Sequence, residues 1–243
     1  MAPPVWRLIP SFAASGPTHM AVDRWLFEQH CQGHHPPTLR FYTWQPAALS
    51  LGYHQRTYPA HWEHLTWEGQ PIALVRRPTG GRAVLHQGDL TYAVICSGLP
   101  TQRRQSYEYL CEFLIQGWRS LGVELAYGQA GRGYIHNPNC FGSATAADLV
   151  TSAGAKLIGS AQARRGDGVL QHGSMRLNQN GALFEQVFGT PAQAAALPAT
   201  LASQLGAIAQ ALLTAAATHF QVTFQAQPLS ASEWEQILAQ PQL

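Results

Sequence analysis

The chain has 243 residues, 46% of them hydrophobic and 12% charged, which predicts one large globular domain or a domain with a small addition. A formal net charge of +2 with no basic run argues against a nucleic-acid partner and against an anionic membrane surface. No segment approaches the ~20 apolar residues of a membrane span, and the first ten residues lack the apolar core of a signal peptide. We therefore expect a cytoplasmic protein.

The first half of the chain is predicted to hold one helix followed by short strands. Residues 17–31 place Met20, Trp25 and Phe27 on one helix face, and Pro17 is tolerated in a first turn. Apolar runs bounded by glycine, proline or polar residues then predict strands at 38–44, 46–52, 71–77, 83–86 and 89–96.

The second half is predicted to begin with a long helix. Between residues 102 and 121 apolar side chains recur at helical spacing, and Gly122 closes the segment. Further strands are predicted at 123–127, 148–152, 156–162 and 168–177. The remaining sequence predicts a helix at 197–218, a strand at 219–224 and a helix after Ser230.

The order of these segments favours one fold class. Several strands with segregated helices, rather than a regular alternation, predict an α+β fold in which helices flank a mixed, largely antiparallel sheet. The composition changes near residue 190. We therefore predict a main, site-bearing domain over residues 1–190 and a small helical annex, packed on it, over residues 191–243.

A glycine-rich connection between two predicted strands is the first candidate for a ligand site. It reads RRPTGGR from residue 76 to residue 82. Paired glycines let a backbone approach a ligand closely, and flanking arginines supply forked donors for a carboxylate or phosphate. A plain hairpin turn explains Gly80 and Gly81 equally well, so both interpretations stay open at this point.

Lys156 is the single lysine among fifteen basic residues, and it lies in the predicted strand AKLIGSAQ, over 155–162. A lineage that favours arginine explains the missing lysines but not the position of this one. What a site gains from lysine rather than arginine is an amine with a tunable pKa. Gly159 thins the same strand where a ligand can lie against it. The competing interpretation is a surface lysine at a strand edge.

The four cysteines are scattered without a CxxC pair, so we expect neither a metal site nor a disulfide framework. Cys96 and Cys111 lie in apolar patterns, where buried inert thiols are expected, and Cys31 closes a helix. Cys140 lies in the turn-rich segment NPNCFG, over 137–142, which suits an accessible thiol near backbone donors. An acyl-accepting nucleophile requires such surroundings, although an idle loop cysteine is the alternative.

Two histidines follow strand patterns next to these motifs. They are His86, which ends the predicted strand after the glycine-rich connection, and His172, in the predicted strand that follows the one with Lys156. One interpretation places them in the lining of a site, and the other makes them hydrogen-bonded core histidines.

Four segments in this order resemble the biotin/lipoate A/B protein ligase family: RRPTGGRAVLH from residue 76, DLTYAVI from 89, NPNCF from 137 and AKLIGSAQARRGDGVLQHGSM from 155. PAALSLGYHQ, from residue 46, fits as well, and the similarity extends from about residue 5 to residue 190. The resemblance implies the α+β fold of the lipoate and biotin protein ligases, with a narrow acyl pocket. It also implies a product in which a fatty acid is amide-linked to a lysine of an acceptor protein.

Two chemistries occur in this family. Ligases activate lipoate or octanoate with ATP, and they typically carry a third glycine and an adjacent His-Asp pair, as in RRxSGGGAVxHD. Here Arg82 occupies the place of the third glycine, and Gln87 follows His86, with Asp89 displaced. The form RxTGGRAVLH and the cysteine of PNCF instead resemble octanoyltransferases of the LipM type, which need neither ATP nor another cofactor.

The resemblance assigns roles by position. Cys140 becomes the nucleophile that carries an octanoyl thioester, and Lys156 becomes its catalytic partner, either as an ammonium or as a neutral base. The implied substrate-binding residues are Arg77, Thr79, Gly80, Gly81, Arg82, His86, Gly159, Ser160, Ala161 and His172. The implied partners are octanoyl-acyl carrier protein as donor and, as acceptors, lipoyl domains of 2-oxoacid dehydrogenases or glycine-cleavage protein H.

Two alternatives stand beside the octanoyltransferase. The first is a lipoate or octanoate ligase that uses ATP and magnesium, which Arg82 and the missing His-Asp pair disfavour. The second is a non-catalytic protein that keeps the fold, against which Cys140 and Lys156 argue. A biotin ligase is disfavoured because the sequence has no GRGRxGR-type phosphate loop.

Overall fold

The computed structural model describes residues 2–128, 148–192 and 197–240. The strands in these ranges are β1 (Val5–Ala14), β2 (Thr38–Trp44), β3 (Ala48–Leu51), β4 (Thr66–Trp67), β5 (Gln70–Pro71), β6 (Ala73–Arg76), β7 (Val84–His86), β8 (Asp89–Cys96), β9 (Leu125–Tyr127), β10 (Leu149–Thr151), β11 (Lys156–Arg165), β12 (Gly168–Arg176) and β13 (Thr223–Ala226). The helices are α1 (Gly16–Cys31), α2 (Arg103–Ser120), α3 (Gly181–Phe188), α4 (Ala199–Ala202), α5 (Leu205–Phe220) and α6 (Ala231–Leu238), and a 3₁₀ turn covers Ala60–His64.

The main sheet is mixed. Its eight strands run in the order β13-β1-β2-β8-β12-β11-β10-β9. The pairs β13–β1 and β1–β2 are parallel, and every other neighbouring pair is antiparallel. The predicted α+β fold with a mixed, largely antiparallel sheet is therefore confirmed.

Strand β1 was not predicted, because Pro10 interrupts its apolar pattern. Proline has no N–H to donate and is normally excluded from interior strands. The pairing of β1 with β2 shifts register between Ile9 and Phe12, so the irregularity falls where the proline lies. The strand thus continues on both sides of Pro10 while lying between two neighbours.

Helices cover both faces of the main sheet. Helix α1 buries Val22, Trp25 and Leu26 on one face, in a core that also contains residues of β2, β8 and β12. Its start is fixed by Ser15, whose hydroxyl accepts from the backbone N–H of Thr18, as N-cap residues do. Helices α2 and α5 cover the other face, where Trp118 is fully buried. Burial of a large apolar side chain contributes about 1.5–3 kcal/mol.

A second, smaller sheet positions the glycine-rich connection. Strand β3 pairs in parallel with β6 on one side and antiparallel with β7 on the other. The chain between β6 and β7, residues 77–83, therefore crosses over the end of β3. A third apolar cluster, including Leu49, Trp62 and Phe184, packs this sheet against α3.

The chain beyond residue 199 joins the same sheet and cores. Strand β13 pairs with residues 5–8 of β1, and Leu212 of α5 lies in the core beneath α2. The predicted helix at 197–218 is instead two helices, because Gln204 leaves the helical conformation (φ −97°, ψ 59°). The predicted strand at 219–224 begins later, because α5 continues to Phe220. The division into two domains near residue 190 stays a prediction.

Among the residues that the structure describes, none of the helices combines the length and apolar character that a membrane crossing requires.

Candidate active site

A cavity of about 670 Å³ lies between α1, the glycine-rich connection, the start of α2 and strands β11 and β12. This volume falls within the usual range of small-molecule sites. Its lining changes from exposed side chains, such as Arg103 and Arg104 at the start of α2, to buried ones, such as Met20 and Trp44. The cavity therefore has a charged mouth and a largely apolar interior.

Most of the predicted site residues meet at this cavity. Eight of them line it: Arg77, Gly80, Gly81, His86, Gly159, Ser160, Ala161 and His172. Thr79 is buried directly behind it, hydrogen-bonded to His172. Arg82 does not line the cavity, and its carbonyl accepts from Arg77. Cys140 lies outside the described residues.

The glycine-rich connection is not a hairpin turn, because β6 and β7 both pair with β3 rather than with each other. The crossing over β3 is close, so a Cβ atom on Gly52 would lie 1.9 Å from the carbonyl oxygen of Gly81. Gly81 also has a φ of +96°, which residues with a side chain rarely adopt. The close approach of the two backbones therefore requires glycine at position 52, and the positive φ requires it at position 81.

The arginines next to this connection bind backbone carbonyls of the connection itself and of the chain at and after the end of β3. Arg77 donates to the carbonyls of Ser50, Gly80 and Arg82 at 2.7–3.2 Å. Arg76 donates to carbonyls of the 52–55 segment, including that of Gly52 at 2.8 Å. The predicted forked donors thus fix the loop that forms one wall of the cavity.

Lys156 is buried, with 5% of its surface exposed, so the interpretation as a surface lysine is wrong. Its strand is not an edge either, because β11 lies between β10 and β12. The Nζ atom lies 2.9 Å from Oδ1 of Asp148, which lines the cavity. The two side chains form a buried ion pair. The arrangement puts a fixed cation beside the cavity wall.

His172 is the centre of a buried hydrogen-bonded array that includes Asp23 of α1. Its Nδ1 atom lies 2.8 Å from Oδ2 of Asp23, and its Nε2 atom lies 2.5 Å from Oγ1 of Thr79. Asp23 also accepts from Arg40 at 2.9 Å and from the Tyr42 hydroxyl at 2.7 Å. Burial opposes the charge of Asp23, but these donors prevail and hold its pKa below the usual value.

His86, which also lines the cavity, has a similar array of hydrogen bonds. Its Nδ1 atom lies 2.8 Å from Oδ2 of Asp89, and its Nε2 atom lies 2.9 Å from the hydroxyl of Ser50. The ring stacks on Trp44 with the centroids 3.8 Å apart. The ligase motif has an aspartate directly after its histidine, where this chain has Gln87. Here Asp89 supplies the carboxylate that contacts His86. Burial lowers the pKa of His86, against the opposing influence of Asp89.

A third group of hydrogen-bonded polar side chains lies next to Gly159 of β11 and Gly173 of β12. The Tyr92 hydroxyl donates to Ser160 at 2.7 Å and accepts from Gln171 at 2.8 Å. Burial holds the pKa of Tyr92 well above its usual value, so the phenol keeps its proton. Gly173, opposite Ser160 in the register, leaves room for these contacts.

The cysteines of the described residues behave as expected from their patterns. Cys96 and Cys111 are buried, and burial raises the pKa of each thiol to about 12. Cys31 ends α1, and partial burial raises its pKa as well. These three thiols are poor nucleophiles. Within the same part of the chain, no cluster of three or more histidine, cysteine or acidic residues has the arrangement of a metal site.

Sequence reasoning missed two buried acids of the site, Asp23 and Asp148. Asp23 lies between Met20 and Phe27 on the buried face of a helix, and this position was the available signal. A charged residue on such a face requires partners, which Arg40, Tyr42 and His172 provide. Asp148 precedes a short strand and carries no comparable signal.

Comparison with known proteins identifies close relatives. Residues 15–226 match the family model described as the lipoyl protein ligase A/B catalytic domain. The chain is 40% identical over 184 residues to octanoyltransferase LipM of Kyrpidia tusciae, and the aligned region covers 71% of this chain and 66% of that protein. It is 40% identical over 200 residues to octanoyltransferase LipM of Moorella thermoacetica, and the aligned region covers 78% of this chain and 71% of that protein. The chain thus spans about two thirds of these relatives' own length.

Solved structures share the fold. A lipoate-protein ligase A bound with ATP has a TM-score of 0.76 at 20% identity, with 98% of this chain and 93% of that chain covered. A putative lipoate protein ligase from T. acidophilum with bound lipoic acid has a TM-score of 0.75 at 19% identity, with 98% and 94% covered. The resemblance drawn from the four sequence segments is confirmed, and the chain belongs to the lipoyl protein ligase A/B catalytic domain family.

Proposed function

We propose that the chain is an octanoyltransferase of lipoate biosynthesis. It moves an octanoyl group from acyl carrier protein, through a thioester on Cys140, to a lysine of a lipoyl domain or of glycine-cleavage protein H. The observation that carries the proposal is Lys156, the single lysine, buried with Asp148 beside a cavity of about 670 Å³. Membership in the family and 40% identity to octanoyltransferases support it.

The first step exchanges one thioester for another. The Cys140 thiolate attacks the octanoyl carbonyl carbon, a C–S bond forms, and the thiolate of the carrier's pantetheine arm leaves with the electrons of the broken C–S bond. Because reactant and product are both thioesters, the exchange is close to isoenergetic and needs no ATP. We therefore propose that the reaction uses no cofactor.

The ammonium of Lys156 favours this step electrostatically. A fixed cation stabilises a thiolate and the oxyanion of the tetrahedral intermediate, and it does so most strongly where water is excluded. Asp148, 2.9 Å away, orients the amine. The second step is attack of the acceptor's lysine amine on the acyl-enzyme, which divides a three-body encounter into two simpler ones.

The test is intact-mass spectrometry of the protein mixed with octanoyl-acyl carrier protein without ATP. We expect an octanoyl adduct that hydroxylamine removes and that passes to an added apo lipoyl domain. Cys140→Ala abolishes the adduct, whereas Cys31→Ala, which removes a partly buried thiol at the end of α1, keeps it. Lys156→Arg keeps the charge but slows adduct formation about 100-fold, as loss of one positioned oxyanion partner does.

Two outcomes would overturn the proposal. Acylation of the lipoyl domain only when ATP and free octanoate are supplied would identify a ligase with an idle Cys140. No acylation under either condition would identify a protein that keeps the fold without the activity. We place the enzyme in the cytoplasm, where unpaired thiols such as Cys31, Cys96 and Cys111 stay reduced.

A further inference from the structure

The cavity crosses one face of the main sheet along a single row of paired residues. Gly159 of β11 pairs with Ser174 of β12, which pairs in turn with Thr91 of β8. Thr91 pairs on its other side with Tyr42 of β2. All four residues line the cavity. Because paired residues of neighbouring strands point to the same face, this row forms one wall of the cavity from β11 to β2.

The side chains along the row grow in size from β11 to β2. Gly159 has no side chain, and Ser174 and Thr91 have small ones, whereas Tyr42 carries a large ring. With neighbouring strands about 4.8 Å apart, the part from Gly159 to Thr91 is about 10 Å long. An extended octanoyl group spans about 9 Å from carbonyl to methyl carbon, given C–C bonds of about 1.5 Å. The open part of the row therefore has the length of an eight-carbon chain.

The two ends of the row differ in exposure. Near the β11 end, Gln162 contacts Ser106 of α2 at 3.5 Å, and the exposed Arg103 of the same helix lines the cavity mouth. At the β2 end, Tyr42 and Trp44 are buried. In the proposed function the acyl group arrives on a carrier protein that stays outside the cavity. Its chain therefore enters at β11 and places its methyl end at β2.

Trp44 lies at the buried end of the row. Its Nε1 atom donates to Oγ1 of Thr91 at 2.8 Å, so the indole lies directly beyond the last small side chain. The ring also stacks on His86, with the centroids 3.8 Å apart and the planes at 13°. These two directional contacts hold the indole in one orientation. Trp44 thus forms a fixed end wall.

A second cavity, of about 270 Å³, also borders Trp44. Its lining includes Pro46 and Trp67, which do not line the first cavity, whereas Trp44 lines both. Tyr42, the other aromatic residue at this end, packs its ring on Arg40, whose guanidinium carbon lies 4.0 Å from the ring centroid. Shortening Tyr42 would uncover a buried charge, whereas shortening Trp44 would join the two cavities.

We infer that Trp44 sets the upper length of the acyl chain at eight carbons. The inference rests on the proposed function for the nature of the acyl group. Each methylene up to the eighth is buried along the row and raises kcat/KM about 4-fold. The methyl end of an octanoyl group contacts the indole, so further methylenes fit only by displacing it from Thr91 and His86, and kcat/KM falls.

The test compares acyl-acyl carrier protein donors of six, eight, ten and twelve carbons in transfer to an apo lipoyl domain. We expect the wild-type chain to prefer eight carbons over ten by about 10-fold in kcat/KM, as insertion of methylenes into a packed site predicts. In Trp44→Ala the preference reverses, because the longer chains extend into the second cavity. Their kcat/KM relative to the eight-carbon donor rises at least about 10-fold over the wild-type ratio.

Trp62→Ala is the matched control. Trp62 is also buried, and its Nε1 atom also donates a hydrogen bond, to the carbonyl of Val187 at 2.8 Å, but it lines neither cavity. We expect this variant to change transfer from all donors by the same factor and to keep the wild-type order of chain lengths. A merely structural role of Trp44 would give the same result in Trp44→Ala and would overturn the inference.

A second variant keeps the inference testable where Trp44→Ala does not fold. Trp44→Phe keeps an aromatic ring beside His86 but makes the end wall smaller. We expect its ratio of ten-carbon to eight-carbon transfer to exceed the wild-type ratio about 4-fold, the gain of one buried methylene. An unchanged ratio in this variant would contradict the inference, as would a wild-type chain that uses ten and eight carbons equally well.

Binding of the free acids separates this inference from the proposed function. Failure of the wild-type chain to transfer from any donor would remove the proposed function, and calorimetric titration with hexanoate, octanoate, decanoate and dodecanoate then decides the inference. We expect octanoate to bind most tightly to the wild-type chain and decanoate or dodecanoate to bind most tightly to Trp44→Ala. The same order of affinities in both chains would show that Trp44 does not limit the length.

Discussion

Gly173 shows how tightly the residues around the cavity are packed. A Cβ atom at this position would lie 2.5 Å from the Ser160 hydroxyl oxygen, 2.7 Å from the Gly159 carbonyl oxygen and 2.7 Å from the Tyr92 ring. The carbonyl belongs to the paired strand β11 and has no rotamer with which to move away. An added methyl group must therefore displace the strand pair or break the Tyr92–Ser160 hydrogen bond.

We predict that Gly173→Ala destabilises the fold by about 1–3 kcal/mol, as overpacking in a core does. Octanoyl transfer falls at least about 10-fold, because Ser160 and Gly173 both line the cavity. Urea unfolding and single-turnover transfer measure the two effects. Gly181→Ala is the control, because a Cβ atom there meets nothing within 4 Å. Equal stability of the two variants would contradict the prediction.

Sequence motifs identified the cavity lining but not the residues that hold it in place. Gly80, Gly81 and His172 were predicted because glycine pairs and strand-borne histidines are local patterns. The partners of His172 and Lys156, which are Asp23 and Asp148, come from distant parts of the chain. Such pairings depend on the packing of α1 against the sheet and on the pairing of β10 within the sheet, which no local pattern specifies.

At the scale of elements, one buried arginine of strand β1 connects α6 to the main sheet. Arg7 of β1 donates to both carboxylate oxygens of Glu233, at 2.6 and 2.9 Å, and to the carbonyls of Gln227 and Pro228. Glu233 also completes the capping box with Ser230. Burial opposes the charge of Glu233, but its bonds to Arg7 and Ser230 prevail and lower its pKa to about 2.

The lowered pKa predicts a defined pH window. In the unfolded chain Glu233 has a pKa near 4.5, so its contribution to stability is complete above pH 4.5 and is lost as the pH falls toward 2. We predict that Glu233→Gln costs about 2–3 kcal/mol at pH 7, because it leaves the buried Arg7 without its anion. Urea unfolding at several pH values should show this cost shrinking between pH 4.5 and 2.

Glu235→Gln is the matched control, because Glu235 is exposed on the same helix. It should leave the free energy of unfolding nearly unchanged at every pH. A cost of Glu233→Gln that stays constant from pH 7 to pH 2 would contradict the prediction, because it would show that the charge of Glu233 does not carry the effect.

The elements themselves followed from the sequence to different degrees. Helix α6 was predicted after Ser230, because a capping residue before an amphipathic run is a local signal. Strands β2 and β8 were predicted with their observed bounds, because both are rich in β-branched and aromatic residues. Strand β1, which carries Arg7, was missed because Pro10 breaks its pattern, and helix α3 was missed because its apolar segment is only eight residues long.

At the scale of the whole molecule, the C-terminal helices are packed into the core that supports the site. Gly117 of α2 faces Leu212 of α5 so closely that a Cβ atom would lie 2.7 Å from its Cδ2 atom and 3.0 Å from its Cα atom. The contact with Cα involves backbone, so a rotamer change alone does not relieve it. Leu212 and Val94, in strand β8 of the main sheet, belong to the same buried core.

We predict that α5 and the main sheet unfold as one cooperative unit. The amides of Leu212 and Val94 then exchange with solvent only through global unfolding, and Gly117→Ala lowers the protection of both by the same amount, about 1–3 kcal/mol. Gly206→Ala is the control within α5, where an added Cβ atom meets nothing within 4 Å, and it leaves protection unchanged or raises it. Hydrogen exchange under native conditions measures both variants. If Gly117→Ala lowers protection in α5 alone, the segment beyond residue 190 is a separate domain, as the division drawn from composition predicts.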